Sequence, residues 1–296
     1  QGMEIEELGI LGCGWMGSRI AQAAANCGFS VLVWDLDPSL LAEGLTGVQK
    51  SLEHWVEKGR LEDSVVKETM TRLQGTTQLK DLRNCDVIIE AVVEDRSVKS
   101  DLFTKLNRIC PQKTIFASNT SSLSVTELAI ASGRPDRFIG LHFFSPPHVM
   151  QLVEIVRTVA TDPETVTVII EFSQRLGKTP ILAKDNSGFI VNYLLVPYLL
   201  DAIRALERSV GTVRDIDVGM RLGCGYPMGP FTLMDFIGLD VVYQIVNALF
   251  EEYREARYAP PPLLRKMVLA GFHGMKTQRG FYDYSGPEPV VTDLGF

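Results

Sequence analysis

The sequence has little of several features that mark out whole classes of protein. Its 296 residues include only five cysteines, at positions 13, 27, 85, 110 and 224, and no two of them form a CxxC pair. An odd, scattered set of this kind predicts reduced thiols and a cytoplasmic protein. The first residues also lack the basic-then-apolar layout of a signal peptide, which favours the same location.

A basic excess is missing as well. The 29 Lys and Arg residues are outnumbered by 36 Asp and Glu residues, for a formal net charge of −7, whereas nucleic-acid binding domains usually carry a basic surplus. No stretch supplies the 18 or so unbroken apolar residues of a membrane span. The richest stretch, residues 188–206, is interrupted by Asn192, Pro197, Asp201 and Arg204. We therefore expect neither a nucleic-acid partner nor a membrane partner.

Histidine is scarce, and metal-binding spacings are missing. The four histidines, at positions 54, 142, 148 and 273, form no HxH or HExxH pattern and no cluster with cysteine, so we expect no metal site. The remaining composition, 46% hydrophobic and 22% charged, is that of a globular chain. Its length suits one large or two modest domains.

Strand and helix patterns alternate along the first two-thirds of the chain. Helical spacing, as in Met16–Cys27 and Val98–Ile109, separates short runs rich in β-branched residues. The alternation predicts βαβ units and a parallel sheet, an α/β Rossmann-like N-terminal domain over residues 1–186. Leu40–Leu73 is too long for one crossover and predicts a helical hairpin turning at residues 58–60. The predicted strands are Glu7–Leu11, Ser30–Asp35, Asp86–Val92, Thr114–Ser118, Phe138–Phe143, Leu152–Arg157 and Thr179–Lys184.

Strand patterns disappear after residue 187, which predicts an all-α C-terminal domain over residues 187–296. Asp185, Asn186 and Ser187 are good helix caps for its first helix, and the Pro/Gly-rich tail after Tyr284 predicts a loose end. The predicted helices are Gly188–Arg208, Val213–Leu222, Gly229–Ile237, Leu239–Arg257 and Pro261–Ala270.

A GxGxxG motif spans Gly12 to Gly17, with Gly14 as its second glycine and Trp15 and Met16 between the second and third. It follows a predicted strand and opens a helix, as a dinucleotide-binding loop requires. The first glycine permits a tight turn, the second lets the backbone approach a pyrophosphate, and the third lets helix pack on strand.

Asp35 ends the second predicted strand, where a carboxylate accepts hydrogen bonds from the adenosine ribose and repels a 2′-phosphate. No Arg follows it immediately. The pattern therefore favours NAD over NADP, with FAD, which shares the motif, as the main competitor.

His142 lies inside an apolar strand, and a short turn leads to a second strand that carries Glu154. Two strands so joined can place the side chains together. A carboxylate beside an imidazole fixes its tautomer and favours its protonated form, which suits a general base for a hydroxyl proton. Such pairs also occur for structural reasons, and the pattern alone leaves both readings open.

Two polar features could complete a site. Residues 118–122 (SNTSS) follow a predicted strand at the edge where ligands bind, although one of these serines could simply cap the helix Leu123–Ala131. Asn192 lies within the apolar first turns of the first C-terminal helix, where an amide needs partners, whether substrate or backbone.

Over residues 3–284 the chain resembles the 3-hydroxyacyl-CoA dehydrogenases, including the bacterial 3-hydroxybutyryl-CoA dehydrogenases. The resemblance rests on GILGCGWMGSRIA, VIIEAVVED, FASNTSSL, RFIGLHFFSPP, VEIV, DNSGFIVNYLLVPY, GCGYPMGPFTLMD and MKTQRGFYDY. It implies NAD-dependent, reversible oxidation of (S)-3-hydroxyacyl-CoA, a step of fatty acid β-oxidation, by a homodimer joined through its C-terminal domain.

The resemblance also implies individual roles. His142 matches the family's catalytic base and Glu154 the acid that orients it. Ser121 and Asn192 match residues that hydrogen-bond the substrate's reacting oxygen and thioester region. Lys58 matches a residue near the CoA moiety. The positions that match the NAD site are Gly12, Gly14, Trp15, Met16, Gly17, Asp35, Glu94, Lys99 and Asn119.

Three departures from the family pattern stand out. Residues 145–148 read SPPH where Asn-Pro-x-Pro is usual, Tyr193 replaces a common Arg, and Gln278 replaces a Gly. The SPP turn is similar to that of the gulonate-type dehydrogenases, which remain an alternative. A hydroxyisobutyrate-type dehydrogenase would need a catalytic Lys that residues 188–193 lack, and a non-catalytic, crystallin-like NAD-binding protein is the third competitor.

Overall fold

The computed structural model describes residues 3–295. The chain divides into two compact units, the first ending at Phe189 and the second beginning at Ile190. The first unit contains one eight-stranded sheet. Its strands are β1 Glu7–Leu11, β2 Ser30–Trp34, β3 Leu73–Thr76, β4 Val87–Glu90, β5 Ile115–Ser118, β6 Phe138–Phe143, β7 Leu152–Arg157 and β8 Thr179–Lys184.

Six α-helices accompany this sheet, with two short 3₁₀ helices at Leu79–Asn84 and Pro135–Arg137. The chain reverses between the second and third α-helices at Gly59, whose φ is +67°, so the predicted helical hairpin is confirmed. The α-helices are α1 Trp15–Asn26, α2 Pro38–Glu57, α3 Asp63–Arg72, α4 Arg96–Ile109, α5 Val125–Ser132 and α6 Pro163–Arg175.

The strand order is β3-β2-β1-β4-β5-β6-β7-β8. Every described pair is parallel except β6 with β7, which is antiparallel. β4 and β6 are buried along their whole length, as expected for strands covered on both faces. The predicted Rossmann-like class is confirmed. From β1 the strands are added first toward one edge of the sheet, as β2 and β3, and then toward the other, as β4 and β5. Sheets of this kind bind their ligands at this change of direction, here between β1 and β4.

β3 was not predicted, because Leu73-Gln74-Gly75-Thr76 carries a single large apolar residue. It forms by pairing in parallel with β2 at the edge of the sheet, so its backbone rather than its side chains defines it. A Cβ at Gly75 would lie only 2.9 Å from a Leu45 methyl group. The glycine lets this edge strand pack closely against α2.

The second unit is mainly helical, as predicted. Its last residues, however, do not form a loose tail: β9 and β10 pair antiparallel, and the Thr292 N–H donates to the Phe281 carbonyl. Leu294 packs against the helical core. The apolar residues among the prolines and glycines cover this core, which the composition of the tail did not indicate. Its α-helices and strands are α7 Val191–Glu207, α8 Val213–Cys224, α9 Pro230–Ile237, α10 Leu239–Tyr253, α11 Pro262–Leu269, β9 Tyr282–Asp283 and β10 Val290–Val291, and short 3₁₀ helices lie at Ala256–Tyr258 and Met275–Thr277.

Two predicted helix caps were wrong. Asp185 does not cap the first helix of the second unit, which begins at Val191; its carboxylate instead accepts the N–H groups of Val125 and Thr126 at 3.0 and 2.7 Å. It thereby accepts hydrogen bonds from N–H groups at the start of α5 that have no partner within the helix, and its negative charge is favourable at that end. The side-chain cap of α5 is Ser124, not one of the serines at 118–122, because the helix starts two residues later than predicted.

Two buried carboxylates hold the second unit together. Asp217 accepts the Phe231 N–H at the start of α9 and the Tyr282 hydroxyl. Asp235 accepts the N–H groups of Phe281 and Tyr282 and the hydroxyl of Tyr284. Burial raises the pKa of Asp235 to about 6.

Among the described residues, no single helix is long and apolar enough to cross a membrane. The helices Pro230–Ile237 and Leu239–Tyr253 meet the length and composition requirement only when taken together, and the chain bends by 97° between them.

Candidate active site

The glycine loop joins β1 to α1 with the backbone geometry that its spacing predicts. Gly12 has a φ of +94°, a conformation that residues with a side chain rarely adopt. A Cβ at Gly17 would lie 1.9 Å from the Gly12 carbonyl oxygen, whereas one at Gly14 would meet nothing within 4 Å. The loop therefore leaves room beside Gly14 and presents the N-terminus of α1, the arrangement that receives a pyrophosphate.

Asp35 follows β2 and is held at the same loop. Its Oδ2 accepts the Cys13 N–H at 2.8 Å, and its Oδ1 accepts the Asp37 N–H at 3.0 Å. These two bonds fix the carboxylate next to the glycine loop, where an adenosine ribose bound there could reach it. The residues present thus fit an NAD molecule.

Glu90, Glu94 and Lys99 form a charge cluster where β4 ends and α4 begins, with Glu94 as its exposed member. Lys99 Nζ is 3.0 Å from Glu90 and 2.5 Å from Glu94, and both Lys99 and Glu90 are almost fully buried. Burial raises the pKa of Glu90 despite the opposing effect of Lys99. Burial acts in the same direction on Glu94, but Lys99 and the hydroxyl groups of Thr120 and Ser122 bring its pKa below the ordinary value.

Glu94 also organises the polar loop that follows β5. It accepts the Thr120 hydroxyl, the Ser122 hydroxyl at 3.0 Å and the Ser121 N–H at 3.3 Å. Asn119 Oδ1 accepts the Phe143 N–H at 2.8 Å, which ties this loop to the end of β6. The structure therefore brings Asn119 to the end of β6, next in sequence to His142, and ties Ser121 to Glu94 in the same loop.

His142 and Glu154 are cross-strand partners in the antiparallel pair β6–β7. His142 Nδ1 lies 2.9 Å from Glu154 Oε1, and both side chains are buried. With Nδ1 engaged by the carboxylate, Nε2 is the nitrogen left for a substrate. A carboxylate in this position also stabilises the imidazolium that forms when Nε2 accepts a proton.

Aromatic rings surround the imidazole. The ring centres of Phe144 and Phe189 lie 4.8 and 5.5 Å from that of His142. Phe189 has a φ of +49°, which is strained for a residue with a side chain. These rings restrict the orientation of the imidazole and limit the water around it.

Four predicted site residues take part in none of the contacts described above. Lys58 is exposed at the C-terminus of α2, and Asn192 is the second residue of α7 in the second unit, half-buried rather than fully enclosed. Trp15 is 57% exposed at the start of α1, and Met16 packs against the core of the first unit.

Sequence reasoning missed Glu90, and it singled out Ser145 only as part of the unusual SPPH turn at residues 145–148. Glu90 lies at the end of the apolar strand β4 and forms an ion pair with Lys99. An acidic residue in an otherwise apolar strand is a sequence signal that could have suggested such a buried ion pair. Ser145 Oγ accepts the Trp15 indole N–H at 3.1 Å, joining the glycine loop to the turn after His142. No sequence signal connects positions so far apart.

Comparison with protein families divides the chain almost where the fold does. Residues 7–186 match the NAD binding domain of 3-hydroxyacyl-CoA dehydrogenase. Residues 188–284 match the C-terminal domain of 3-hydroxyacyl-CoA dehydrogenase. The chain belongs to the 3-hydroxyacyl-CoA dehydrogenase family. It is accordingly an NAD-dependent oxidoreductase, as the resemblance implied.

Individual relatives of this 3-hydroxyacyl-CoA dehydrogenase cover nearly all of it. A probable 3-hydroxybutyryl-CoA dehydrogenase of Deinococcus radiodurans is 45% identical over 94% of this chain and 100% of its own. The mitochondrial hydroxyacyl-coenzyme A dehydrogenase of Sus scrofa is 42% identical over 95% and 91% of the two chains.

A solved structure agrees with the fold of the whole chain. The (S)-3-hydroxybutyryl-CoA dehydrogenase of Ralstonia eutropha superposes with a TM-score of 0.91 at 39% identity, covering 96% of this chain and 100% of its own. At 39% identity, the similarity indicates membership of the same family as well as a shared fold.

Proposed function

We propose that this 3-hydroxyacyl-CoA dehydrogenase oxidises (S)-3-hydroxyacyl-CoA thioesters to 3-ketoacyl-CoA, reversibly, with His142 as the general base. The observation that carries the proposal is the buried His142–Glu154 pair, 2.9 Å apart, on neighbouring strands of the same sheet whose first strand leads into a glycine loop of dinucleotide-binding geometry. NAD, when bound, supplies the hydride acceptor for C3 of the substrate.

The chain's own residues handle the proton. His142 Nε2 removes the proton of the 3-hydroxyl as the C3–H bond breaks, and Glu154 stabilises the resulting imidazolium. In the reverse direction the imidazolium returns the proton to the alkoxide. Glu154 orients the ring and does not itself take the proton.

Ser121 and Asn192 are proposed to donate hydrogen bonds to the substrate's reacting oxygen and thioester region. For Ser121, support comes from Glu94 and Asn119, which hold its loop against the end of β6. A positioned donor of this kind contributes a few kcal/mol to catalysis. Lys58, exposed on the helical hairpin, is proposed to contact the CoA moiety.

The test is a spectrophotometric screen at 340 nm with NADH and 3-ketoacyl-CoA thioesters of increasing chain length. His142→Gln should lower kcat by about 10²- to 10⁴-fold while the Kd for NADH is retained. His54→Gln, which alters a histidine on the exposed side of α2, is the matched control. Normal turnover by His142→Gln, or oxidation of gulonate in place of acyl-CoA reduction, would overturn the proposal.

We also propose a homodimer through the second unit. α8 exposes apolar side chains one turn apart, with Val218 39% and Leu222 71% exposed, and Tyr226 just beyond its end is 44% exposed. Such a face favours a protein partner, and a second copy of this helix is the simplest one. Leu222→Asp should convert the protein to a monomer in light scattering; a monomeric wild-type protein would contradict the proposal.

The cytoplasmic location is likewise a proposal. All five cysteines are free in the structure, and three of them, Cys13, Cys85 and Cys110, are buried. Cell fractionation of the source organism with an activity assay tests it.

A further inference from the structure

A second polar group lies beside the proposed site, between α1, α2 and the turn that joins β6 to β7. We name it the α1–α2 polar cluster. It contains three residues of α1, two of α2 and two of the turn: Trp15, Arg19, Gln22, Ser51, Trp55, Ser145 and His148. Neither the glycine loop nor the histidine–carboxylate pair explains why Arg19, Trp55 and His148 are there.

Arg19 is the central residue of this cluster and is only 9% exposed. Its guanidinium lies 4.8 Å from the centre of the Trp15 ring, and Nη1 donates to Gln22 and to the Gly47 carbonyl at 2.8 and 2.9 Å. All of these partners are neutral. Among the described residues no Asp or Glu forms an ion pair with Arg19, which is unusual for a buried cation.

The turn between β6 and β7 supplies the other wall. Ser145 accepts the Trp15 indole N–H, and the His148 ring lies 5.8 Å from the Trp55 ring. Lys178 Nζ donates to the carbonyls of Pro147 and Met150 at 2.6 and 2.7 Å. This turn therefore lies between two cations that have only neutral partners in the described part of the chain.

Two polar atoms in the cluster are buried without a hydrogen-bond partner, Arg19 Nε and His148 Nδ1. A buried N–H without an acceptor is costly, and the cost is removed when an acceptor arrives. Burial, Arg19 and Lys178 together lower the pKa of His148 to about 4. His148 is consequently neutral at pH 7 and adds no positive charge of its own, but its ring can still donate from one nitrogen.

We propose that Arg19 and His148 bind an oxyanion of the thioester substrate, while Trp15 and Trp55 pack against the chain that carries it. A guanidinium with an unused Nε–H beside an imidazole is suited to a carboxylate or a phosphate. The exposed edge of Trp15 and the half-buried Trp55 leave an approach to the cluster.

This inference rests on the proposed function, and two parts of a thioester substrate carry such an oxyanion. One is a carboxylate at the far end of a dicarboxylic acyl chain; the other is a phosphate of the CoA moiety. Both would approach along the same walls, since Trp15 belongs to the glycine loop and Ser145 follows the strand of His142. The two sources differ in the substrates that depend on Arg19.

The experiment compares kcat/KM for three 3-keto thioesters: acetoacetyl-CoA, 3-oxoadipyl-CoA, which ends in a carboxylate, and acetoacetyl-pantetheine, which lacks the phosphates. Arg19→Gln should lower one of two ratios by about tenfold to a hundredfold, the change expected when a charge-assisted bond is lost. A lower ratio of 3-oxoadipyl-CoA to acetoacetyl-CoA identifies the acyl carboxylate. A lower ratio of acetoacetyl-CoA to acetoacetyl-pantetheine identifies a CoA phosphate.

Arg175→Gln is the matched control, because Arg175 also lies over an aromatic ring, Phe29, and donates to a backbone carbonyl. Arg19→Lys should retain part of the affected ratio, since it keeps the charge but loses the fork of donors. If Arg19→Gln does not fold, His148→Ala on the turn should lower the same ratio.

The outcomes separate the two proposals. A wild-type protein that does not reduce acetoacetyl-CoA contradicts the proposed function itself. A wild-type protein that does, combined with Arg19 and His148 variants that leave both ratios intact, overturns the oxyanion site. Weaker NADH binding with both ratios intact also overturns it, because Arg19 would then serve the dinucleotide.

Discussion

Glu154 lies directly opposite His142 in the antiparallel pair of the eight-stranded sheet, with its Oε1 2.9 Å from His142 Nδ1. The pairing register alone produces this contact, because cross-strand partners point to the same face of a sheet. A shift by one residue would turn one of the two side chains to the opposite face. The other described pairs in this sheet are parallel, so this contact depends on the single reversal of direction at the turn 144–151.

Glu154→Gln should keep the size of the side chain but remove the charge that stabilises the imidazolium. We expect kcat to fall by about a hundredfold or more, as when a histidine loses its orienting acid elsewhere. The double variant with His142→Gln should be no slower than His142→Gln alone, because the two residues act as a unit. Steady-state rates at 340 nm measure this cycle, and purely multiplicative losses would contradict the pairing. Glu127→Gln, at an exposed ion pair with Arg96, is the control.

Asp35→Ala should weaken NADH binding and narrow the preference over NADPH, since the carboxylate would no longer accept from the ribose or repel a 2′-phosphate. Fluorescence titration with both cofactors gives the two Kd values. Asp37→Ala removes a nearby carboxylate that caps α2 through the Ser39 N–H. That variant should lose about 1 kcal/mol of stability with the cofactor preference intact. An unchanged Kd for NADH in Asp35→Ala would refute the role of Asp35.

Gly14→Ala and Gly17→Ala should fail for different reasons. A Cβ at Gly14 meets no atom within 4 Å, so this variant should fold with a normal Tm but bind NADH weakly, because the methyl group takes the place of the pyrophosphate. A Cβ at Gly17 would overlap the Gly12 carbonyl, so that variant should unfold at a lower temperature. Thermal unfolding and NADH titration of both proteins distinguish the two effects. Tight NADH binding by Gly14→Ala would place the cofactor elsewhere.

Asp235 should make the second unit less stable as the pH rises. Its pKa in the folded protein is raised to about 6 from an ordinary 3.8, so the protonated carboxyl favours folding. The contribution is complete below about pH 3.8 and is lost as the pH rises through about 6, a difference of about 3 kcal/mol.

The comparison that isolates this effect is wild type against Asp235→Asn, which does not titrate. The stability advantage of the wild type, from urea unfolding at pH 4 to 7, should shrink as the pH rises. An advantage that grows over this range would show that Asp235 has a lowered pKa instead.

Much of the fold was predictable because local pattern and tertiary environment agree. β1, β6, β7 and β8 have the predicted bounds, since each is a β-branched or aliphatic run that the sheet buries or pairs. β3 escaped prediction because Leu73–Thr76 has no strand pattern of its own and owes its conformation to pairing with β2.

The wrong predictions of a helix cap at Asp185 and of a loose tail after Tyr284 have a common physical origin. Asp185 is a good cap by residue type, but which helix it caps depends on which N-terminus lies nearest in space, and that is α5. The composition of the tail after Tyr284 indicated flexibility, yet the apolar core around Phe281 provides a surface for Thr292 and Leu294.

The sequence by itself determined the kinds of chemistry available: a glycine loop, a strand-end aspartate, and a histidine and a glutamate on strands joined by one turn. Only the tertiary structure decided the distances, because hydrogen bonds such as those of Glu94 to the loop after β5 and of Trp15 to Ser145 join residues far apart in the chain. Local propensity is a property of a few neighbouring residues, whereas the partners of a buried charge are set by the packing of the whole unit. Arg19 shows the difference most clearly. Its position in α1 follows from helical spacing. Its surroundings, which include no carboxylate partner among the described residues, depend on how α2 and the turn after β6 pack around it.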